Sequence, residues 1–115
     1  EPLPENTLYR DGIEYYGLTH KHPNATGSYT AESFMKLIAS DVEDRMALID
    51  QPLLMICGEK ADTLYMSQDA FAKASGTENK ELYLIPGASH IRTYWVEEYV
   101  QQAVDKLAVF FNKNL

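Results

Sequence analysis

The feature that most constrains the fold is the run "PLLMICG", Pro52 to Gly58. It is apolar without interruption and is bounded by a proline and a glycine. This pattern is typical of a strand buried on both faces rather than one with a solvent-facing side. Strands of this kind occur in parallel sheets, because helices cover both faces of such sheets. The run therefore predicts a central strand of a parallel sheet.

A second strand and two helices are predicted in the order that a parallel sheet requires. "ELYLIP", which starts at Glu81, predicts the second strand, and Ser67 is the expected N-cap of a helix between the strands that stops at Gly76. From Val96 onward, apolar residues recur at steps of three and four with polar residues opposite them, which predicts an amphipathic C-terminal helix. The order strand, helix, strand, helix predicts an α/β fold.

The first third of the chain reads as a helical and loop segment. We expect a short helix from Leu8 to Tyr16, an irregular loop, and a helix capped by Thr30. A chain of 115 residues fits one domain by size. We therefore divide a single domain into residues 1–44 and the strand and helix segment 45–115. Two strands are too few for a complete sheet, so segment 45–115 is expected to be one end of a larger one.

Charge and composition limit which classes of partner we expect the chain to bind and where in the cell we expect it. The formal net charge of −7, with lysines and arginines scattered, excludes nucleic acid and an anionic membrane surface as expected partners. No apolar run approaches the roughly 20 residues that span a bilayer, and the first residues do not resemble a signal peptide, so the expected location is cytoplasmic. The single cysteine, Cys57, rules out an internal disulfide and is read as a buried structural thiol.

Each predicted strand is followed by a residue that can take part in proton transfer. Asp62 follows the first strand and His90 follows the second, and functional groups collect at the carboxyl ends of strands in open α/β sheets. A carboxylate that accepts the Nδ1–H of an imidazole leaves Nε2 to accept a proton from a nucleophile. The alternatives are an ordinary loop role for either residue, or Asp69 as the acid.

Two other patterns carry less weight. The alternating histidines of "HKH", His20 and His22, have no well-spaced third ligand, so we predict a solvent-exposed loop rather than a metal site. No organic cofactor is predicted. Asn24-Ala25-Thr26 matches the acceptor pattern for N-glycosylation, which is short enough to occur by chance.

Residues 45–115 resemble a known family. "PLLMICGEKADTLYMSQDAFAKA", followed by "KELYLIPGASHIRTYW" and a long terminal helix, is similar to the C-terminal end of the α/β-hydrolase fold, near its dienelactone-hydrolase-like and peptidase-like esterase groups. The resemblance implies that Asp62 is the acid and His90 the histidine of a catalytic triad. It also implies a small-molecule ester, thioester or amide substrate.

The sequence departs from the family pattern at the nucleophile. No Gly-x-Ser-x-Gly elbow occurs in the 115 residues, and Ser89, beside His90, lacks the geometry of such an elbow. This chain alone is therefore not expected to be catalytically complete. We expect it to supply the acid and histidine of a serine hydrolase whose nucleophile lies upstream. The alternative is a non-catalytic α/β module that forms a homo-oligomer, or binds a partner, through an exposed sheet edge.

Overall fold

The structure, a computed structural model, describes residues 3–25 and 27–115. Within these ranges the chain forms four α-helices and two β-strands. The elements in chain order are α1 (Leu8–Glu14), α2 (Ala31–Ile38), β1 (Leu53–Gly58), α3 (Leu64–Lys73), β2 (Lys80–Ile85) and α4 (Glu97–Asn114). A π-helical turn follows α1 at Tyr15–Thr19, and 3-10 turns lie at Glu43–Leu48 and Ile91–Tyr94.

The two strands form a parallel pair joined through α3. Leu53 lies opposite Lys80, and Gly58 lies opposite Ile85. Since the strands run in the same direction, their carboxyl ends lie at the same edge of the sheet. The predicted α/β class is confirmed at this level: a small two-stranded parallel sheet with helices packed against it.

Most of the buried apolar side chains lie at the carboxyl ends of the strands, and Met46 and Ala74 lie in the segments that precede β1 and β2. The buried apolar side chains are Met46, Ala61, Ala74, Ile85, Ala88 and Ile91. By contrast, the residues of β1 from Leu53 to Cys57 are only half-buried. The prediction of burial on both faces is not met in the described part of the chain, because β1 pairs with β2 alone and helices α3 and α4 cover it only in part.

Local capping explains where several helices begin. The Thr30 hydroxyl accepts a hydrogen bond from the Ser33 N–H at 3.1 Å, so α2 starts where the sequence predicts. The predicted N-cap at Ser67 is wrong, because α3 begins earlier, at Leu64. The chain already turns after Ala61, whose carbonyl accepts the Leu64 N–H at 3.1 Å, and Ser67 therefore lies inside the helix.

The helices leave much apolar surface uncovered in the described residues. Helix α2 exposes Phe34, Met35, Leu37 and Ile38, and α4 exposes Val104, Leu107, Val109 and Phe111. The predicted amphipathic α4 is confirmed as a helix that contacts both strands. None of the helices described is both long and apolar enough to cross a membrane.

A glycine at the end of β1 is required by close backbone packing. A Cβ atom added to Gly58 would lie 2.3 Å from the Ala88 carbonyl oxygen and 2.9 Å from that of Ser89. We expect Gly58→Ala to lower the free energy of unfolding by about 1–3 kcal/mol, because backbone atoms cannot move aside as a flexible side chain can. Urea denaturation followed by circular dichroism measures this effect.

Gly12→Ala is the matched control for that substitution. Gly12 lies within α1, and a Cβ added there meets nothing within 4 Å. The control should be neutral or stabilising by about 0.5–1 kcal/mol, because alanine favours the helix. Equal destabilisation by the two substitutions would contradict the packing argument.

Candidate functional site

The loops that follow β1 and β2 are joined by backbone hydrogen bonds. The Glu59 N–H donates to the Ile85 carbonyl at 3.0 Å, and the Lys60 N–H donates to the Ala88 carbonyl at 2.8 Å. The carboxylate of Glu59 also accepts the N–H of Gly87 at 3.0 Å. The two loops therefore lie side by side, which places the residues after β1 next to those before and at His90.

The imidazole of His90 is half-buried and has a hydroxyl group at each nitrogen. Nδ1 lies 2.7 Å from the Thr63 Oγ1, and Nε2 lies 2.6 Å from the Tyr94 hydroxyl. Tyr94 reaches the ring because the turn Ile91–Tyr94 brings it back after four residues. Both contacts are hydrogen bonds of normal length. Thr63 and Tyr94 thus hold the ring between the two loops.

Asp62 makes a different contact from the one expected. Its two carboxylate oxygens accept the Leu8 N–H at 3.1 and 3.0 Å, and this N–H is one of those that the first turn of a helix leaves unpaired. Within residues 3–25 and 27–115, no hydrogen bond or ion pair joins Asp62 to His90. The adjacent side chain, Thr63, occupies the Nδ1 position, because neighbouring residues of this turn reach different partners.

Helix α1 is hydrogen-bonded to the loop after β2 as well as to the loop after β1. The hydroxyl of Ser89 donates to the Asp11 carboxylate. Ser89 is fully buried and Asp11 nearly so. Through its contacts with Ser89 and Asp62, α1 bridges both strand exits. Ser89, which the sequence excludes as an elbow nucleophile, has its hydroxyl directed to Asp11.

A cavity of about 190 Å³ opens beside the imidazole. Its lining includes His90, Thr63, Tyr94, Cys57 and Ser67. Burial raises the pKa of the Cys57 thiol and outweighs the opposite effect of its hydrogen bond with Ser67, so the thiol stays protonated at neutral pH. Cys57 is therefore a poor nucleophile at this cavity.

An aromatic cluster connects the segment after α1 with the turn after His90. The rings of Tyr15 and His20 are stacked with centroids 4.3 Å apart. Tyr15 also meets Tyr94 edge to face at 6.1 Å, and His20 lies 5.3 Å from Trp95. Partial burial, and to a lesser extent the nearby phenols of Tyr16 and Tyr15, raise the pKa of Tyr94. The Tyr94 hydroxyl therefore keeps its proton at neutral pH.

The hydrogen bonds of the two histidines of "HKH" are local. The Nδ1 of His20 lies 2.9 Å from the Thr19 hydroxyl, and the Nδ1 of His22 accepts the Asn24 N–H at 3.1 Å. In the part of the chain that the structure describes, no group of three or more His, Cys, Asp or Glu residues could hold a metal ion. Thr26, the last residue of the glycosylation pattern, lies outside the described residues.

The sequence predicted that His90 lies where the second strand ends, as the structure shows, but it did not predict the two hydroxyl partners of the ring. The signal for Tyr94 was its spacing of four residues from His90, which a helical turn brings together. The signal for Thr63 was weaker, since only its place beside Asp62 on the first loop put it near the histidine. Which of two adjacent side chains reaches Nδ1 depends on the turn geometry.

The fold and the site define a mixed α/β chain with a histidine and hydroxyl cluster at the carboxyl ends of two parallel strands. No family model matches the chain. It is 30% identical over 112 residues to the uncharacterized protein YcjY of Escherichia coli (strain K12), a match that covers 96% of this chain and 36% of that protein. It is 35% identical over 101 residues to the uncharacterized protein PA2218 of Pseudomonas aeruginosa, with 82% of this chain and 25% of that protein covered. The chain thus spans about a third and a quarter of the length of these relatives.

The buried bond between Ser89 and Asp11 should contribute measurably to stability. We expect Ser89→Ala to lower the free energy of unfolding by about 1–3 kcal/mol, because it leaves the Asp11 carboxylate buried without its hydroxyl donor. Urea denaturation measures the change. Ser75→Ala, on the exposed turn after α3, is the matched control and should stay within about 0.5 kcal/mol of the wild type. A Ser89→Ala protein as stable as this control would show that the contact does not fasten α1.

Proposed function

We propose that this chain is the C-terminal part of a serine-dependent α/β hydrolase that acts on a small-molecule ester, thioester or amide. One observation carries the proposal. A half-buried imidazole, His90, lies beside a cavity at the carboxyl ends of two parallel strands and has a hydroxyl at each ring nitrogen. This is where functional groups collect in open α/β sheets, and an imidazole held in this way is suited to general base catalysis.

His90 acts as the proton carrier in the proposed reaction. A serine from an upstream segment loses its proton to Nε2 as its oxygen attacks the substrate carbonyl. The imidazolium then returns the proton to the leaving alcohol, thiol or amine, and an acyl-enzyme is formed. Water, deprotonated by the same nitrogen, then attacks the acyl-enzyme, and the imidazolium returns this proton to the serine oxygen as the acid product leaves.

Asp62 supplies the negative charge of the site in this proposal. Its carboxylate accepts the hydrogen bond from the Leu8 N–H. Asp62 directly precedes Thr63, which contacts the Nδ1 of His90. Asp62 is exposed, so from this loop it attracts the positive charge that develops on the ring only weakly, because solvent screens the attraction. We therefore assign charge stabilisation to Asp62 without a direct hydrogen bond to His90.

The shape of the described chain supports a place in a larger sheet. Strand β1 pairs with β2 alone in the described residues, and α2 and α4 expose apolar side chains that further strands or helices could cover. The two relatives are roughly three and four times as long as the matched region. A longer protein could hold the serine and the oxyanion hole, whose donors come partly from the residue after the nucleophile.

Loss of the imidazole should abolish turnover. In the longer protein, His90→Ala should lower the rate of p-nitrophenyl acetate hydrolysis by about 10⁴-fold or more, since the serine then has no base. His22→Ala removes an exposed histidine with only a local contact and serves as the control with unchanged rates. Wild-type turnover by the His90→Ala protein would defeat the assignment.

Removal of the Asp62 charge should have a smaller effect. Asp62→Asn keeps an oxygen for the Leu8 N–H, so its unfolding free energy should change little. Turnover should fall by several-fold, because a solvent-exposed charge without direct contact stabilises the imidazolium by about 1 kcal/mol or less. Asp69→Asn, on the exposed side of α3, is the control for the rival acid. If Asp69→Asn reduced turnover and Asp62→Asn did not, the acid would be Asp69.

A second function is supported by the uncovered apolar residues of α2 and α4. A non-catalytic module that self-associates would bury these faces against a second copy. Sedimentation separates the two proposals for this chain, because the module predicts a defined oligomer. A monodisperse species of 13.1 kDa would count against the module, and turnover that depends on His90 would favour the hydrolase.

A further inference from the structure

The two hydroxyls around His90 bear on where its ring carries the proton. A neutral imidazole has one N–H and one lone pair, and a base that works through Nε2 needs the hydrogen on Nδ1. In the α/β-hydrolase fold that the sequence resembles, the acid of the triad would keep this hydrogen on Nδ1. Here Asp62 is instead bonded to the Leu8 N–H. Threonine and tyrosine hydroxyls take its place at the ring.

Neither hydroxyl is committed elsewhere in the described part of the chain. The Thr63 side chain makes no capping bond to α3, although Thr63 is the N-cap residue, and its hydrogen bond is to the Nδ1 of His90. The Tyr94 hydroxyl is bonded to Nε2. Each group is therefore free to donate or accept, as the tautomer of the ring requires.

The chemistry of the two hydroxyls favours one of the two arrangements. A phenol is the more acidic group, so it is the better donor and the poorer acceptor, whereas an aliphatic hydroxyl accepts well. The phenol of Tyr94 also stays protonated at neutral pH, because its partly buried position raises its pKa. The better arrangement has Tyr94 donating to Nε2 and the Nδ1–H donating to Thr63.

We propose that Thr63 and Tyr94 are positioning residues that together hold His90 in the Nδ1–H tautomer, with the Nε2 lone pair directed toward the Tyr94 hydroxyl. The catalytic role of this tautomer rests on the proposed function, since a base that works through Nε2 needs the hydrogen on Nδ1. The Tyr94 hydroxyl then occupies the position at Nε2 that the serine hydroxyl takes during catalysis. Tyr94 is half-exposed, and in this proposal its side chain rotates away when the serine approaches.

The tautomer can be measured directly by NMR on the ¹⁵N-labelled chain without any substrate. Long-range ¹H–¹⁵N spectra, recorded at a pH where the imidazole is neutral, distinguish a protonated ring nitrogen from one with a lone pair. We expect His90 to show a protonated Nδ1 and an unprotonated Nε2. A protonated Nε2 in the wild-type chain would overturn the proposal.

Substitutions separate the hydroxyls from the surrounding packing. Thr63→Val keeps the shape but removes the acceptor, and Tyr94→Phe removes the donor, so in each the Nδ1–H form should cease to be the major one. Thr63→Ser should restore it, which a role in packing alone would not. Either Thr63→Val or Tyr94→Phe with an unchanged tautomer contradicts the proposal. A Thr63→Val chain that fails to fold leaves the decision to Tyr94→Phe and Thr63→Ser.

The chain provides its own matched control. Thr19 lies 2.9 Å from the Nδ1 of His20, so Thr19→Val removes a similar contact at a different histidine. It should change the His20 signals and leave those of His90 unaltered. The NMR measurement does not depend on turnover, so the two proposals can fail separately. If the longer protein is inactive but His90 is in the Nδ1–H form, only the hydrolase is refuted. An active one with the Nε2–H form would refute the positioning role alone.

Discussion

The rest of the structure depends on the backbone contact between the two strand-exit loops. The Lys60 N–H binds the Ala88 carbonyl at 2.8 Å, and the same carbonyl approaches so closely that a side chain at Gly58 would collide with it. Parallel pairing of β1 and β2 makes the contact possible, since it puts both exits at one edge of the sheet. The contact in turn brings Thr63 within reach of His90. The site is therefore a product of sheet topology.

Helix α1 adds a second constraint from a distant part of the sequence. Its first N–H binds Asp62 on one loop, and its buried Asp11 accepts the Ser89 hydroxyl on the other. Each bond joins residues more than fifty positions apart, so the helix fixes loops that local structure alone would leave adjustable. The position of Asp62 also explains why this carboxylate does not contact the imidazole. Asp62 binds the first N–H of α1, and its neighbour Thr63 contacts the imidazole of His90.

The sequence predicted those features whose causes are local. Continuous apolar runs between turn residues marked both strands, and Thr30 marked the start of α2, because burial patterns and caps act over a few residues. The start of α3 was misplaced at Ser67, since a turn after Ala61 begins the helix sooner. The partners of His90 were missed because they depend on how two loops meet. Adjacent residues such as Asp62 and Thr63 cannot be ranked for that contact by spacing alone.

The central claim is that His90 is the base that activates a serine in a longer protein. The most direct measurement is the intact mass of the natural gene product after exposure to a fluorophosphonate, which bonds covalently to activated serines. The account predicts a species well above 13.1 kDa that takes up one label, and no uptake after His90→Ala. An unlabelled product of 13.1 kDa, or labelling that persists without His90, would contradict it.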